Sequence, residues 1–121
     1  MNLLFVDDEQ RILEELFELA TYLGHKVYMA SDADEALNIL DKNIKLIDIV
    51  FTDLKMPGKS GLDLVRDIEK RYKDRSFRIF LMSGHLEDDF SDKSLCITGF
   101  LKKPLDVKNF QRVLNTLRSD G

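Results

Sequence analysis

The sequence contains one cysteine, no tryptophan and two prolines among its 121 residues. A single cysteine cannot form an internal disulfide, and Cys96 has no nearby Cys or His at zinc-ligand spacing. We therefore predict that Cys96 is a partly buried apolar residue without chemistry. A chain of this length can bury a stable core without disulfides or a structural metal, so we expect one domain over residues 1–121.

Long apolar segments are also missing, because no run approaches the roughly 18 to 20 residues that a membrane-spanning helix needs. The first residues lack the basic leader and the small-residue cleavage site of a secretory signal, and they turn acidic at Asp7. With 44% hydrophobic and 33% charged residues, the composition predicts a soluble globular protein. We expect a cytoplasmic location.

Basic charge is not in excess, since 18 Lys and Arg residues stand against 22 Asp and Glu residues, a formal net charge of −4. General attraction to nucleic acid or to anionic lipid is therefore not expected. One local basic cluster falls at the end of a predicted helix, where the helix dipole favours cations. Its members are Lys70, Arg71, Lys73 and Arg75. We interpret it as a solvated helix end, with a docking patch as the alternative.

Short apolar runs rich in Val, Ile and Phe alternate with stretches of helical periodicity. The runs are residues 3–6, 26–30, 46–52, 78–82 and 98–102. This alternation is typical of βαβ units that close on a parallel sheet. The sequence thus predicts an α/β fold with five strands, each followed by a helix.

Apolar residues spaced three and four apart predict the helices. The first helix ends at Gly24, Ser31 caps the second, the third starts at Gly61, and the last follows Pro104. The helical pattern is weakest at residues 86–94, where a fourth helix is predicted. The predicted inward-facing residues are Ile12, Leu13, Leu16, Phe17, Ala20 and Leu23, then Ala33, Ala36, Leu37 and Leu40, then Leu62, Val65, Ile68 and Tyr72, and finally Val107, Phe110, Val113, Leu114 and Leu117.

Acidic side chains follow two of the predicted strands at their carboxyl ends. Asp7 and Asp8 close the first strand, and Asp53 closes the third. In an open parallel sheet these ends lie at one edge, and ligands bind in the crevice outside them. Carboxylates brought together repel, by about 4 kcal/mol for a pair 4 Å apart at an effective dielectric of ~20. All-oxygen ligation then indicates a hard cation, Mg²⁺ first and Mn²⁺ second, and not zinc.

Each acid also has an ordinary structural interpretation. Asp7 and Asp8 alone could cap the first helix, and Asp53 could be a simple turn residue before Pro57. The convergence of both positions at one edge favours a functional site.

Two further polar groups end neighbouring strands. Ser83 ends the fourth strand with a hydroxyl that can donate a hydrogen bond to an added oxygen. Lys102 and Lys103 end the fifth strand, where an ammonium group could offset negative charge arriving on Asp53. Because successive strand residues point to opposite faces, only one of the two lysines should face the acids.

Four motifs, in order at the predicted strand ends, resemble those of the receiver domains of bacterial response regulators. They are Asp7-Asp8, Asp53-Leu54-Lys55-Met56-Pro57-Gly58, Ser83-Gly84 and Lys103-Pro104. The resemblance covers essentially the whole chain. It implies a doubly wound, flavodoxin-like (βα)5 fold whose five parallel strands have the order 2-1-3-4-5.

The resemblance implies a role for each motif residue. Asp53 would be the phosphoacceptor, and Asp8 and Asp53 would bind Mg²⁺ directly. The backbone carbonyl of Lys55 would be a third protein ligand, and Asp7 would act mainly through water. Lys103 would contact the phosphoryl group.

The resemblance also selects Lys103 over Lys102 and implies a cis Lys103–Pro104 bond. It implies a switch made of the Ser83 hydroxyl and an aromatic partner, Phe100, which turns inward as the hydroxyl moves toward the phosphoryl group. Many relatives have tyrosine at the aromatic position, and phenylalanine lacks its phenolic hydroxyl.

Other positions have narrower expected roles. Lys55 and His85 would flank the phosphoryl group and influence its hydrolysis. His25 is predicted to be a surface turn residue and not a phosphodonor. Residues 83–103 are short and acidic for the family, and they lack its alanine-rich fourth helix on the face that normally bears the output.

The implied function is that of a signalling phosphoprotein and not of an enzyme. Its donor would be a histidine kinase or a histidine phosphotransfer protein, and its output partner or domain is not identified by the sequence. This domain itself would bind neither nucleic acid nor membrane. The alternatives are a metal-dependent phosphatase with Asp53 as nucleophile, which has no spare segment for a cap, and an interaction module that works without phosphorylation.

Overall fold

The computed structural model describes residues 1–84 and 97–119 of the chain. Within these ranges it contains five strands and four helices. The strands are β1 Asn2–Val6, β2 Lys26–Ala30, β3 Ile49–Asp53, β4 Arg78–Ser83 and β5 Gly99–Lys102, and the helices are α1 Gln10–Tyr22, α2 Ala33–Asn43, α3 Gly61–Arg71 and α4 Val107–Ser119. The helix predicted at residues 86–94 lies outside the described residues, as do His85 and Cys96.

The strands form one parallel sheet in the order β2-β1-β3-β4-β5. This confirms the predicted doubly wound α/β fold and its strand order. The direction of winding reverses between β1 and β3, and such a switch point opens a crevice at the carboxyl ends of the two strands. Asp7 and Asp53 stand at those two ends.

Each face of the sheet is covered by its own apolar core. Residues of α2 and α3 pack on one face, and residues of α1 and α4 pack on the other. The second core contains four stacked or tilted phenylalanine rings with centroids 5.2 to 6.1 Å apart, an aromatic ladder made of Phe5, Phe51, Phe80 and Phe110. Because strand side chains alternate, Asp7 and Asp53 lie two residues beyond this ladder on the same face.

The third strand starts later than predicted. It was expected over residues 46–52, but β3 begins at Ile49, and Leu46 is 52% exposed. The carbonyl of Asn43 accepts hydrogen bonds from the N–H groups of Leu46 and Ile47, at 2.9 and 3.1 Å. These bonds continue a turn past the end of α2, so the apolar Leu46 and Ile47 precede the strand.

Two of the predicted inward-facing residues are exposed. Phe17 is 40% exposed because it lies beyond the edge of the buried stripe formed by Leu13, Leu16 and Ala20. Val107 is 48% exposed because it opens α4, whose first buried residue is Phe110. The prediction was wrong for Phe17 and Val107.

The cap of α2 is Asp32 and not Ser31. The Asp32 carboxylate accepts the N–H of Glu35 at 2.8 Å, whereas the Ser31 hydroxyl donates to the Glu35 carboxylate at 3.0 Å. The helix begins at Ala33, one residue later than a Ser31 cap would require.

A capping box starts α3, the helix that follows the Asp53 loop. The Ser60 hydroxyl accepts the N–H of Asp63 at 3.1 Å, and the Asp63 carboxylate accepts the N–H of Ser60 at 3.0 Å. Two N–H groups that the helix itself cannot satisfy are thereby bonded.

Replacing Ser60 with Ala should lower the free energy of unfolding by about 1 kcal/mol, because one of these capping bonds is lost. Denaturant titration followed by circular dichroism measures the change. Ser31→Ala is the matched control, because its hydroxyl bonds only an exposed carboxylate. Equal losses in the two variants would contradict the capping role of Ser60.

His25 is buried, so the predicted surface position was wrong. Gly24, with φ +90°, turns the chain back at the end of α1, and the His25 N–H then donates to the carbonyl of Ala20 at 3.0 Å. The imidazole Nδ1 lies 3.0 Å from the amino group of Met1. This residue therefore packs where α1 meets the start of the sheet.

The basic cluster at the end of α3 contains ion pairs. Arg71 lies 3.4 Å from Asp41, Tyr72 donates a hydrogen bond to the same carboxylate, and Arg75 lies 2.7 Å from Glu69. The Arg71 pair is about half exposed, and pairs of that kind contribute less than about 1 kcal/mol. Among the described residues, no helix is both long and apolar enough to cross a membrane.

Candidate functional site

Three aspartates converge at the switch point of the sheet. The register pairs Val6 with Thr52, so the residues that follow them, Asp7 and Asp53, lie side by side. One carboxylate oxygen from each of Asp7, Asp8 and Asp53 lies within 4.8 Å of the other two. Asp7 and Asp53 are buried, whereas Asp8 is exposed, so the cluster opens to solvent on the Asp8 side.

The ammonium group of Lys103 lies within the same cluster. Its Nζ is 2.5 Å from Asp7 Oδ2 and 3.2 Å from Asp53 Oδ1. The backbone N–H of Lys103 donates to the Ser83 carbonyl at 2.8 Å, which places the lysine directly beyond the paired ends of β4 and β5. Lys102 is exposed and precedes it on the other face. The structure thus brings Lys103, and not Lys102, to the acids.

The peptide bond between Lys103 and Pro104 is cis, as expected from the resemblance.

The electrostatics of the cluster favour a proton or a cation on Asp53. Burial raises the pKa of Asp53 above its ordinary value of 3.8, the charge of Lys103 opposes this rise, and the charges of Asp7 and Asp8 add to it. Burial lowers the pKa of Lys103, but its hydrogen bond and charge contact with Asp7, together with Asp53, raise it above 10.5 overall. Lys103 therefore remains positively charged, and its single charge does not fully neutralise the negative charge of the three carboxylates.

The simpler interpretations of the acids do not account for their contacts. Glu9 is the N-cap residue of α1 and makes no side-chain capping bond. Asp7 Oδ1 accepts the N–H of Glu9 itself at 3.0 Å, and its other oxygen contacts Lys103. Asp53 is the buried last residue of β3 and also contacts Lys103. Neither arrangement is that of a simple helix cap or an exposed turn.

Ser83 and Phe100 lie on one face of the sheet. Ser83 pairs with Lys102 and Phe100 pairs with Leu81, so both side chains point away from the face of Met82 and Lys103. Ser83 is buried at the end of β4, whereas Phe100 is 42% exposed. The two predicted switch residues are therefore diagonal neighbours on adjacent strands.

Gly61 supports the site in a way that the sequence interpretation missed. A Cβ atom at this position would lie inside contact distance of the Asp53 carbonyl oxygen, 3.0 Å from Leu54 Cα and 3.1 Å from the Asp53 carbonyl carbon. The N–H of Gly61 donates to the Leu54 carbonyl at 2.8 Å. The start of α3 thus packs directly on the backbone of the phosphoacceptor candidate. The only sequence signal was a glycine at a predicted helix start, where glycine is also common simply because it turns the chain.

Comparison with known proteins identifies the family. The chain matches the response regulator receiver domain family over residues 3–115. It is 31% identical over 123 residues to the two-component response regulator PhoP of Pseudomonas aeruginosa, covering 100% of this chain and 54% of PhoP. It is 28% identical over 116 residues to the response regulator SaeR of Staphylococcus aureus, covering 96% of this chain and 50% of SaeR. The chain spans about half the length of these curated relatives.

Solved structures show the same fold. A response regulator receiver domain protein from Clostridium thermocellum is similar with a TM-score of 0.84 and 30% identity, over 96% of this chain and 92% of that one. The receiver domain of the hybrid histidine kinase CckA has a TM-score of 0.79 and 27% identity, over 97% of this chain and 98% of that one. The Vibrio cholerae chemotaxis protein CheY4 has a TM-score of 0.84 and 25% identity, over 96% of this chain and 97% of that one.

These matches do not favour the phosphatase or the phosphorylation-independent module. Receiver domains of two-component systems are signalling proteins that interact with histidine kinases. The chain belongs to the response regulator receiver domain family.

Proposed function

We propose that this receiver accepts a phosphoryl group on Asp53 from a phosphohistidine donor and that the added charge switches the surface around Ser83 and Phe100. The proposal depends on one observation: a buried carboxylate held 3.2 Å from Lys103 and beside two further aspartates at the open edge of the sheet. A histidine kinase or a histidine phosphotransfer protein is the proposed donor.

The acids fit a divalent metal ion. Three carboxylates against one ammonium leave an excess of negative charge, and their oxygen atoms are the ligands that Mg²⁺ prefers. Asp8, Asp53 and the backbone carbonyl of Lys55 would bind Mg²⁺ directly, and Asp7 would do so through water. Mn²⁺ is the second choice. When bound, the metal would neutralise charge on the phosphoryl oxygens.

The residues of the chain then divide the work of transfer. An Asp53 carboxylate oxygen attacks phosphorus in line, a P–O bond forms as the P–N bond of the donor breaks, and the electron pair leaves with the imidazole. Lys103 stabilises the charge on the phosphoryl oxygens, and its 2.5 Å contact with Asp7 orients it. The chain is thus both catalyst and acceptor, and we do not propose turnover of external substrates.

Phosphorylation would act as a local electrostatic switch. It adds roughly −1.5 to −2 units of charge at Asp53. The Ser83 hydroxyl would donate a hydrogen bond to a phosphoryl oxygen, and the partly exposed Phe100 ring would turn toward the space that Ser83 vacates. Lys55 and His85 would influence hydrolysis of the acyl phosphate.

We also propose the extent and the cellular location of the domain. The receiver domain spans residues 1–121 and functions in the cytoplasm, where ATP is available to phosphorylate a histidine kinase. Its output partner or output domain is unidentified.

Intact-mass spectrometry after incubation with phosphoramidate and Mg²⁺ tests the proposal. We expect one phosphoryl adduct on the parent chain and none when EDTA removes the metal. Absence of an adduct with Mg²⁺ present would leave the phosphorylation-independent interaction module as the better account.

Mg²⁺ should raise the thermal stability of the chain at neutral pH and lose this effect as the pH falls. In the metal-free chain the pKa of Asp53 is higher when folded than when unfolded, so stability declines as the pH rises from 3.8 through the folded value. Mg²⁺ binds the ionised form, so its contribution is present above that folded pKa and disappears below it. At a free concentration ~100 times its dissociation constant the contribution is about 2.7 kcal/mol.

Thermal melts with and without Mg²⁺, at a series of pH values, measure this contribution. Asp8→Asn should reduce it, and Asp74→Asn, an exposed acid outside the cluster, should not. An undiminished Mg²⁺ effect in Asp8→Asn would remove Asp8 from the metal ligands.

A further inference from the structure

The loop between β3 and α3, residues 54–60, is held at both of its ends by backbone hydrogen bonds. The N–H of Leu54 donates to the carbonyl of Met82 at 3.0 Å, and the N–H of Gly61 donates to the carbonyl of Leu54 at 2.8 Å. Lys55, whose carbonyl is a proposed metal ligand, lies between these ends. The position of that carbonyl therefore depends on what holds the middle of the loop.

Lys59 joins the loop to two helices. Its Nζ lies 3.3 Å from Asp34 Oδ1 in α2 and 3.2 Å from Asp67 Oδ2 in α3. Gly58, just before it, has φ +77°, a left-handed conformation that glycine adopts without steric cost. Lys59, Asp34 and Asp67 thus form a loop clamp, in which one ammonium group from the loop contacts a carboxylate of each flanking helix.

The clamp is exposed, and this limits what it can do. The side chain of Lys59 is 49% exposed and that of Asp34 is 79% exposed. Ion pairs exposed to this degree contribute little to the stability of a whole chain. Hydrogen bonds and charge contacts with Asp67 and Asp34 raise the pKa of Lys59 above its ordinary value of 10.5, so Lys59 is charged at neutral pH. The clamp therefore acts on the position of the loop and not on the stability of the fold.

Building on the proposed function, we propose that Lys59 is a positioning residue for Mg²⁺. It would contact neither the metal nor the phosphoryl group. The loop clamp instead keeps the backbone of Lys55, four residues earlier, where its carbonyl can join Asp8 and Asp53 as a ligand. A loop that is already ordered loses less conformational entropy when the metal binds, so Mg²⁺ binds more tightly.

Charge alone predicts the opposite effect of Lys59. The loop begins directly after Asp53, so Lys59 lies at the same edge of the sheet as the three aspartates of the site. Removing its ammonium group, and with it the partner of Asp34 and Asp67, makes this edge more negative. By Coulomb attraction a divalent cation should then bind more tightly. The direction of the change in Mg²⁺ affinity therefore separates positioning from charge.

Titration with MgCl₂ tests this proposal in four chains: the parent, Lys59→Met, Lys59→Arg and Lys45→Met. The chemical shifts of backbone amides, followed by NMR, give the dissociation constant of Mg²⁺ without any phosphodonor. Lys59→Met removes the charge and keeps an unbranched side chain, whereas Lys59→Arg keeps a cation that can contact both carboxylates. Lys45→Met is the matched control, because it makes the same charge change at an exposed lysine before β3, at the opposite end of the sheet from Asp53.

We expect Lys59→Met to raise the dissociation constant of Mg²⁺ by roughly threefold or more. Lys59→Arg and Lys45→Met should stay near the parent value. With phosphoramidate as donor, the Mg²⁺ concentration that gives half the maximal rate should rise by the same factor in Lys59→Met. The maximal rate at saturating Mg²⁺ should stay near that of the parent, because Asp53 and Lys103 are unchanged.

Unchanged or tighter Mg²⁺ binding in Lys59→Met would overturn the positioning role of Lys59. A parent chain that binds no Mg²⁺ and takes up no phosphoryl group from phosphoramidate would instead overturn the proposed function. The two failures are distinguishable, because the first is seen only in the variant and the second in the parent itself.

Discussion

Asp53→Asn should abolish phosphoryl uptake from both phosphoramidate and a protein donor. The substitution keeps the size of the side chain but replaces the carboxylate that we propose as the nucleophile with a neutral amide. No other described carboxylate is both buried at the sheet edge and in contact with the Lys103 ammonium except Asp7, whose two oxygens already contact Glu9 N–H and Lys103. Intact-mass spectrometry should therefore detect no adduct.

The same variant also tests the electrostatic argument. Because burial and the charges of Asp7 and Asp8 raise the pKa of Asp53, its ionised form is less stable in the folded chain than in water. Without Mg²⁺ at neutral pH, Asp53→Asn should therefore melt at a higher temperature than the parent. With Mg²⁺ the difference in melting temperature should become smaller or change sign, since the variant lacks one of the proposed metal ligands. A lower melting temperature without metal would contradict the charge balance inferred for the cluster.

Gly61→Ala should damage both stability and phosphorylation. The added methyl group meets the Asp53 carbonyl oxygen and lies 3.0 Å from Leu54 Cα, and these are backbone atoms that cannot rotate away. Overpacking of this kind costs about 1 to 3 kcal/mol. A displacement of ~1 Å at a reacting group can slow a reaction roughly 100-fold, so the initial rate with phosphoramidate should fall by about that factor.

Ser60→Ala is the control for Gly61→Ala. It removes a capping bond one residue away without adding an atom near Asp53. It should lose stability but keep a phosphorylation rate close to that of the parent. If Gly61→Ala also keeps the parent rate, the close approach of α3 does not position Asp53.

The fold and the acidic cluster could be predicted because both depend on local patterns. Alternating apolar runs and helical periodicity specify the parallel sheet. Once the sheet is parallel, Asp7 and Asp53 must meet at one edge, because each directly follows a strand. Lys103 was chosen over Lys102 only by resemblance, although the alternation of strand side chains already required that one of them face away.

The errors share a physical cause, which is that tertiary packing decides between locally equivalent positions. Ser31 and Asp32 are both good capping residues, and the start of α2 at Ala33 decides in favour of Asp32. Phe17 fits the helical repeat, but the buried stripe of α1 is too narrow to include it. Gly61 matters through a contact with Asp53, eight residues earlier in the chain, that no local pattern describes.

The aromatic ladder beneath the acids restricts how ligands and water can approach Asp53. Four buried phenylalanine rings form a floor without polar groups, so neither ions nor water can reach Asp53 from below. Under the proposed function, the opening at Asp8 would therefore admit the metal ion, the donor imidazole and the water that later hydrolyses the acyl phosphate. A donor that stayed bound at this opening would shield the acyl phosphate from water, so hydrolysis would begin only after the donor had dissociated.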